Sequence, residues 1–252
     1  MVDRPDYPRV CVDRSQPPGL RADVVERQRT PWYARPEDAR AAAPTGSLWV
    51  PGQTLTVAFL REGSAEGDAA LIEQRVRAIA EEWTQHANLV LRWVEGDATI
   101  RIAFENSGSW SFIGKDCLGN AEGATMNFGW LSPDLDEAAF RSVVLHEFGH
   151  ALGLIHEHQN PSAKIQWNRK AVYAYYARDP NRWSPVDVDR NLFETYEASS
   201  TQFTACDPRS IMMYPIPPEH LESGDPVGWN TELSDNDKVF VESLYPFPPK
   251  PR

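Results

Sequence analysis

The spacing of apolar and polar positions changes along the chain, and each change of period marks an element. Residues 55–60, LTVAFL, are a short, almost continuous apolar run of strand length. Over residues 68–87 the period becomes helical: Leu71, Ile72, Val76, Ile79, Ala80 and Trp83 fall on one face of an amphipathic helix. LVLRW at 89–93 and TIRIAF at 99–104 then read as two strands. SWSFIG at 109–114, bounded by Gly108 and Gly114, predicts a further short strand, and ATMNFGW at 124–130 the last of the sheet. A second long helix is expected to run to about residue 152, burying Phe140, Val143, Val144, Phe148 and Ala151. Ser132 and Asp134 suit its cap, Pro133 its first position, and Asp134 with Glu137 stand at capping-box spacing. Beyond it the pattern predicts IQW at 165–167, helices at 169–177 and 184–196, and a closing helix at 234–244 capped by Ser234 and Asp237. Residues 1–50, rich in Pro, Arg and Asp, read as a loosely structured extension with one helix near 20–29.

The chemistry is concentrated in residues 146–157, HEFGHALGLIHE. His146 and His150 are four apart, so on a helix they share a face and can aim two imidazole nitrogens at one point. Glu147 follows the first of them, where its carboxylate can reach a water at the metal without ligating. Gly153 is the natural residue after a helix end, free to take positive φ, and turns the chain so that His156 can return as a third ligand. Three neutral imidazoles leave the fourth position of one Zn²⁺ open, as catalytic sites do and closed structural sites do not. Unrelated surface histidines are the bland alternative, but HExxHxxGxxH fixes five positions, a chance match on the order of one in a million per start.

Composition narrows the classes. A chain of 252 residues, 41% hydrophobic, can bury one sizeable core or two lobes flanking a cleft, and 9 Trp with 21 Pro suit a loop-rich enzyme. With 36 acidic against 25 basic residues, the net charge of −11 argues against nucleic-acid or anionic-membrane partners. No apolar run approaches the ~20 residues of a membrane span, so none is expected. The first 15 residues have no apolar core of a signal peptide, which leaves secreted and cytoplasmic locations both open. Cys11, Cys117 and Cys206 form no metal-binding spacing; either Cys117 and Cys206 pair and leave Cys11 alone, or all three are reduced. His86, His158 and His220 are expected outside the ligand set, His158 exposed and His220 on a loop.

The HExxHxxGxxH string resembles the metzincin signature of zinc peptidases, which is accompanied by a downstream Met-turn. SIMMY at 210–214, followed by Pro215, puts Met212 at that methionine, packing beneath the imidazoles rather than ligating. Tyr214 resembles the tyrosine that astacins and serralysins place near zinc, Glu157 is the astacin-type residue after the third His, and NSGSWSFIG at 106–114 is close to the astacin segment SGCWSYVG. The resemblance spans about residues 55–245 and points to an astacin-like metzincin. It implies an α+β fold: an N-terminal lobe with a twisted, mostly parallel sheet and two long helices, and a smaller irregular C-terminal lobe ending in a helix. The zinc cleft would lie between them. On that reading residues 1–50 are an extension and candidate pro-segment, and residues 51–252 the catalytic domain, with lobes of about 51–153 and 154–252.

The resemblance further implies a zinc-dependent endopeptidase with one catalytic ion, protein or peptide substrates and a monomeric state. His146, His150 and His156 would ligate zinc, Glu147 would be the general base, and Tyr214 both a fifth ligand and a catalytic donor. Gly153, Met212 and Glu157 would be structural neighbours of the site. Ser109, Trp110, Ser111 and Phe112 would form the edge strand that an extended substrate augments. The stretches PIPPEH and GDPVGW would line the primed side of the cleft. Ser109 stands where astacins have a cysteine, with Trp130 near its usual partner's place, so that disulfide is absent. The astacin pro-segment motif FxGD is also missing, while Cys11 in PRVCVD has a loose likeness to the matrixin cysteine switch and is a candidate ligand of a latent form. The competing readings are a latent or non-catalytic zinc-binding module and a matrixin-like peptidase.

Overall fold

The structure is a computed structural model that describes residue 11 and residues 41–60, 66–105, 108–179 and 181–249. At its centre is a five-stranded sheet ordered β3-β2-β4-β6-β5. The strands β2 (Thr54–Phe59), β3 (Val90–Trp93), β4 (Ile100–Ala103) and β6 (Met126–Asn127) pair in parallel, and β5 (Trp110–Ser111) lies antiparallel at one edge. Parallel neighbours need a crossover, and the helix α1 (Glu66–Ala80) supplies it between β2 and β3. The helical apolar period ends sooner than residue 87: after Ala80 the chain tightens into a 3₁₀ turn at Trp83–Gln85.

α1 packs against the second long helix, α2 (Glu137–Ala151), and both share one core with the sheet. Leu55, Val57, Ile100, Ile102 and Met126 meet Val76, Ile79, Phe140, Val144 and Phe148 there, nearly all fully buried. At the helix pair, the Trp83 indole donates to Leu145 O at 3.0 Å, and Arg141 forks onto both oxygens of Glu82 at 2.5 and 3.0 Å. α2 starts later than the capping pattern predicted. Its cap is Asp136, whose Oδ1 accepts from the backbone N–H groups of Ala138 and Ala139, while Ser132 and Leu135 close a turn ahead of it. The competing carboxylate two residues on won because it reaches two of the four unpaired N–H groups of the helix start.

The segment predicted to be a loose extension contributes β1 (Ala42–Pro44), antiparallel to β8 (Thr201–Phe203). The helix expected near residues 20–29 lies outside the described residues. The second half of the chain holds β7 (Gln166–Trp167) paired with β9 (Leu221–Ser223), and three short helices. These are α3 (Arg169–Tyr176), α4 (Pro185–Val188), with a full capping box between Ser184 and Asp187, and α5 (Asp235–Leu244). The helix predicted over 184–196 changes winding partway, passing from α4 into a π-helical turn at Asp189–Phe193. α5 returns to the main core through Phe240, Val241, Leu244 and the following Tyr245. Cys11, Cys117 and Cys206 are reduced thiols, so the alternative pairing of Cys117 with Cys206 is not realised. Among the described residues no helix is long and apolar enough to cross a membrane.

Candidate active site

α2 ends where the ligand stretch needs it to end. Gly153 takes φ +101°, Leu154 N–H donates to Gly149 O at 3.0 Å, and Gly153 N–H donates to His150 O at 2.8 Å. That pair of bonds is a Schellman turn, closed by the one residue without a Cβ penalty at positive φ. Two residues from elsewhere seal the remaining carbonyls: the Trp49 indole donates to Ala151 O at 2.8 Å, and the Tyr245 hydroxyl to Leu152 O at 2.5 Å. The helix end is thereby fully satisfied inside the core, and the chain leaves it at a defined angle towards His156.

The three imidazoles converge. Nε2 of His146, His150 and His156 are each 3.2 Å from the other two, and all three rings are buried. His146 Nδ1 lies 2.8 Å from Ile211 O and His150 Nδ1 2.9 Å from Leu154 O. A carbonyl can only accept, so both rings carry their proton on Nδ1 and turn a lone pair inward from Nε2. Lone pairs at this distance repel unless a cation stands between them. A spacing of 3.2 Å matches nitrogens about 2.0–2.1 Å from a tetrahedral Zn²⁺. The donor set therefore fits zinc, and the carbonyls behind it set the ring orientation.

Glu147 is buried beside the triangle, and the Cys11 thiol donates to its Oε2 at 3.1 Å. The Cys11 sulfur and the three imidazole nitrogens all lie within 4.8 Å of one another. The hydroxyl of Tyr214 donates to the Cys11 carbonyl, so this one residue engages both side chains expected to act in catalysis. The Tyr214 ring stands 4.3 Å from that of His156 and 4.4 Å from that of His158.

Met212 lies beneath α2. A Cβ built on Gly149 would overlap Met212 Sδ outright and stand 3.2 Å from Trp83 Cζ2, so the thioether occupies the space that a side chain at 149 would need. The turn that carries Met212 is held by α5: Asp237 accepts from Ser210 Oγ at 2.6 Å, Ile211 N–H at 2.8 Å and Ser234 N–H at 2.9 Å. Burial pushes the Asp237 carboxyl up to about 6 despite these bonds. Glu157, also buried, accepts from Asp207 N–H at 2.8 Å and Asn160 Nδ2 at 3.1 Å, and burial raises its carboxyl well above the usual range. Cys117, enclosed in the turn at Gly114–Gly119, is pushed up to about 12 by burial, which makes it an inert packing thiol.

The edge-strand residues fall as follows: Trp110 and Ser111 form β5, the outer strand, with Ser109 buried and Phe112 half-buried on either side, and β5 packs against α2. His158 departs from the expectation of exposure. It is buried, stacks on His156 at 5.2 Å, and its Nε2 donates to Asn191 O at 2.8 Å in the π-helical turn. His220 is buried as well, against Tyr175 and Tyr176, and burial lowers its pKa. His86 and His220 stand outside the cluster of candidate ligands. Sequence reasoning missed Trp49, Tyr245, Asp237 and His158 as supports of the site. A signal existed only at Gly149, an interior helix glycine that marks close approach.

A family profile described as Astacin, a peptidase family, matches residues 49–246. Two solved structures of myroilysin are similar: one with 40% identity, a TM-score of 0.76 and coverage of 82% of this chain and 99% of that one; the other with 37% identity, a TM-score of 0.60 and coverage of 86% and 99%. Among curated proteins, zinc metalloproteinase nas-38 of Caenorhabditis elegans is 30% identical over 126 residues, 49% of this chain and 15% of that protein. Bone morphogenetic protein 1 of Xenopus laevis is 24% identical over 209 residues, 80% of this chain and 27% of that protein. The chain thus spans about a quarter or less of the length of these curated relatives. A match over most of the chain decides against the matrixin-like reading: the chain belongs to the astacin family of zinc metallopeptidases, and its α+β architecture is the metzincin fold.

Proposed function

We propose that the chain hydrolyses internal peptide bonds of proteins, with His146, His150 and His156 holding zinc, Glu147 as general base and Tyr214 as oxyanion donor. The observation that carries this is the triangle of three imidazole Nε2 atoms, each 3.2 Å from the other two, with a buried carboxylate on the helix that carries two of them. The zinc ion supplies Lewis acidity, polarising the scissile carbonyl and bringing the acidity of water near neutral pH. Glu147 takes the proton of the attacking water as the C–O bond forms, and returns it to the leaving amine as the C–N bond breaks. Tyr214, whose ring stands beside His156, would serve as a fifth ligand in the resting enzyme and, once released from the Cys11 carbonyl, would donate its hydroxyl to the oxyanion as the carbonyl turns tetrahedral. β5 offers its outer edge to an extended peptide, which adds to the sheet through main-chain hydrogen bonds. Met212 and Gly153 shape the ligand set without touching substrate. Glu157, the buried neighbour of His156, braces the segment at Asp207.

The position of Cys11 favours a latent form of the same enzyme. Its thiol, once deprotonated, completes an N₃S donor set, and its carbonyl engages Tyr214. On this reading the pro-segment lies within the extension of residues 1–50, while β1 and Trp49, which pack into the core, stay with the catalytic domain of residues 51–252 and the cleft between its halves. The test is casein hydrolysis by the zinc-loaded full chain with and without chelator, beside Glu147→Ala and Cys11→Ala. Chelator-sensitive cleavage is expected, abolished in Glu147→Ala with one zinc retained, and faster in Cys11→Ala. Turnover by Glu147→Ala refutes the general-base assignment. Equal rates and equal zinc coordination in the parent and Cys11→Ala refute latency. Absence of cleavage by every form, with one zinc bound, favours the non-catalytic module.

A further inference from the structure

A cleft with about 400 Å³ of empty space, part of it open solvent, runs from His146 and Glu147 into the second half of the fold. Val143, one turn before His146 on α2, forms one wall, and Ile211, Met213 and Pro215 form another, with Trp229 also on the lining. Ser142 and Asn230 bring polar atoms to it, but these are already engaged: Ser142 Oγ donates to Asn230 O at 2.7 Å, and Asn230 Nδ2 donates to Pro208 O at 3.0 Å and Ser210 O at 2.8 Å. The ionisable residues of the lining are Cys11, His146, Glu147 and Tyr214, all belonging to the reacting end, and no Lys or Arg is among the lining residues.

We infer that this cleft receives a large apolar side chain, of the size of Leu, Met or Phe, from a residue directly flanking the scissile bond, and that Met213 and Trp229 set this preference. The inference rests on the peptidase reading above and adds the substrate class to it. An apolar side chain gains by leaving water among Val143, Ile211 and Met213, whereas a charged one would be desolvated against those walls, the only carboxylate on the lining being Glu147 at the reacting end. An acidic side chain would in addition face the like charge of Glu147. A hydrophobic pocket discriminates by roughly 10–200-fold per missing methylene, so Ala at the flanking position should be cleaved at least ~10-fold less well than Leu. Trp229, 40% exposed, can be exchanged without opening the core.

The experiment is digestion of a denatured, unlabelled mixed proteome by the zinc-loaded Cys11→Ala full chain. Cleavage sites are read by mass spectrometry, and only sites lost with chelator are counted. One flanking position should be dominated by Leu, Met and Phe, with Asp, Glu, Lys and Arg depleted at least ~10-fold against their abundance. Trp229→Arg should raise acidic residues at that same position ~10-fold and leave the other subsites unchanged. Val143→Phe, which fills the cleft, should shift the position towards Ala and Gly. Chelator-sensitive cleavage with a flat or charged profile at both flanking positions overturns the inference and leaves the peptidase reading standing. A parent-like profile in Trp229→Arg overturns the role of that residue. Failure of every form to cleave in a chelator-sensitive way overturns the peptidase reading, and the inference with it.

Discussion

Gly149→Ala sets two physical effects against each other inside the helix that carries two of the proposed ligands. Helix propensity alone makes alanine better than glycine by about 1 kcal/mol at an interior position. Packing opposes it. The new Cβ would overlap Met212 Sδ and stand 3.2 Å from both Met212 Cε and Trp83 Cζ2, and neither neighbour can retreat into solvent, since Met212 is 1% and Trp83 0% exposed. The Trp83 indole is further tied to Leu145 O at 3.0 Å. Forcing one extra carbon into such a core costs about 1–3 kcal/mol beyond the propensity gain, because side chains leave their rotamer minima. The expected net loss is ~1–3 kcal/mol, or about 2–12 °C in Tm for a chain of this size. Urea unfolding of the chelated protein measures it without the contribution of zinc affinity. The double variant Gly149→Ala, Met212→Ala supplies the control: Met212→Ala alone should cost ~2–5 kcal/mol, and the added methyl should recover at least ~1 kcal/mol of that by entering the vacated space. Gly149→Ala as stable as the parent, or stabilised, refutes the claim that Met212 packs against this face.

Two further outcomes follow from the site. Burial raises the folded-state pKa of Asp237 to about 6, above the ~3.9 of an unfolded aspartate, so the folded chain binds more protons between those values. Its contribution to stability is therefore full below about pH 4 and lost as pH rises through 6. The parent should lose stability relative to Asp237→Asn across that window, by a difference on the order of 2–3 kcal/mol in urea titrations at pH 4, 5, 6 and 7. A parent stability that, relative to Asp237→Asn, stays flat or rises with pH contradicts the desolvation argument. Tyr214→Phe in the Cys11→Ala background keeps the ring beside His156 but removes the donor, and kcat should fall ~10²–10³-fold with zinc content unchanged; undiminished turnover rules out the oxyanion role.

The elements and the ligand stretch were legible because their rules are local. The step of four from His146 to His150 places both on one helix face, Gly153 terminates that helix, and apolar periodicity reports α1 and α2, all within a few residues of where the signal is written. What was not legible acts over distance. Asp136, not the expected Ser132 or Asp134, caps α2, because its carboxylate is the one that reaches the first N–H groups. His158 reads as a surface residue until the carbonyl of Asn191, 33 residues on, is found to hold it inside. The orientation of the ligand rings follows the same logic. His146 is aimed by Ile211 O, 65 residues away, and Ile211 is itself fixed by the carboxylate of Asp237, 26 residues further. The end of α2 is closed by Trp49 and Tyr245 from opposite ends of the described fold. HExxHxxGxxH therefore specifies which atoms meet, while the rigidity of their meeting resides in residues outside the string. Asp237→Ala, which leaves every motif residue in place, removes the acceptor that Ser210 Oγ and Ile211 N–H share and so frees the carbonyl that aims the first ligand.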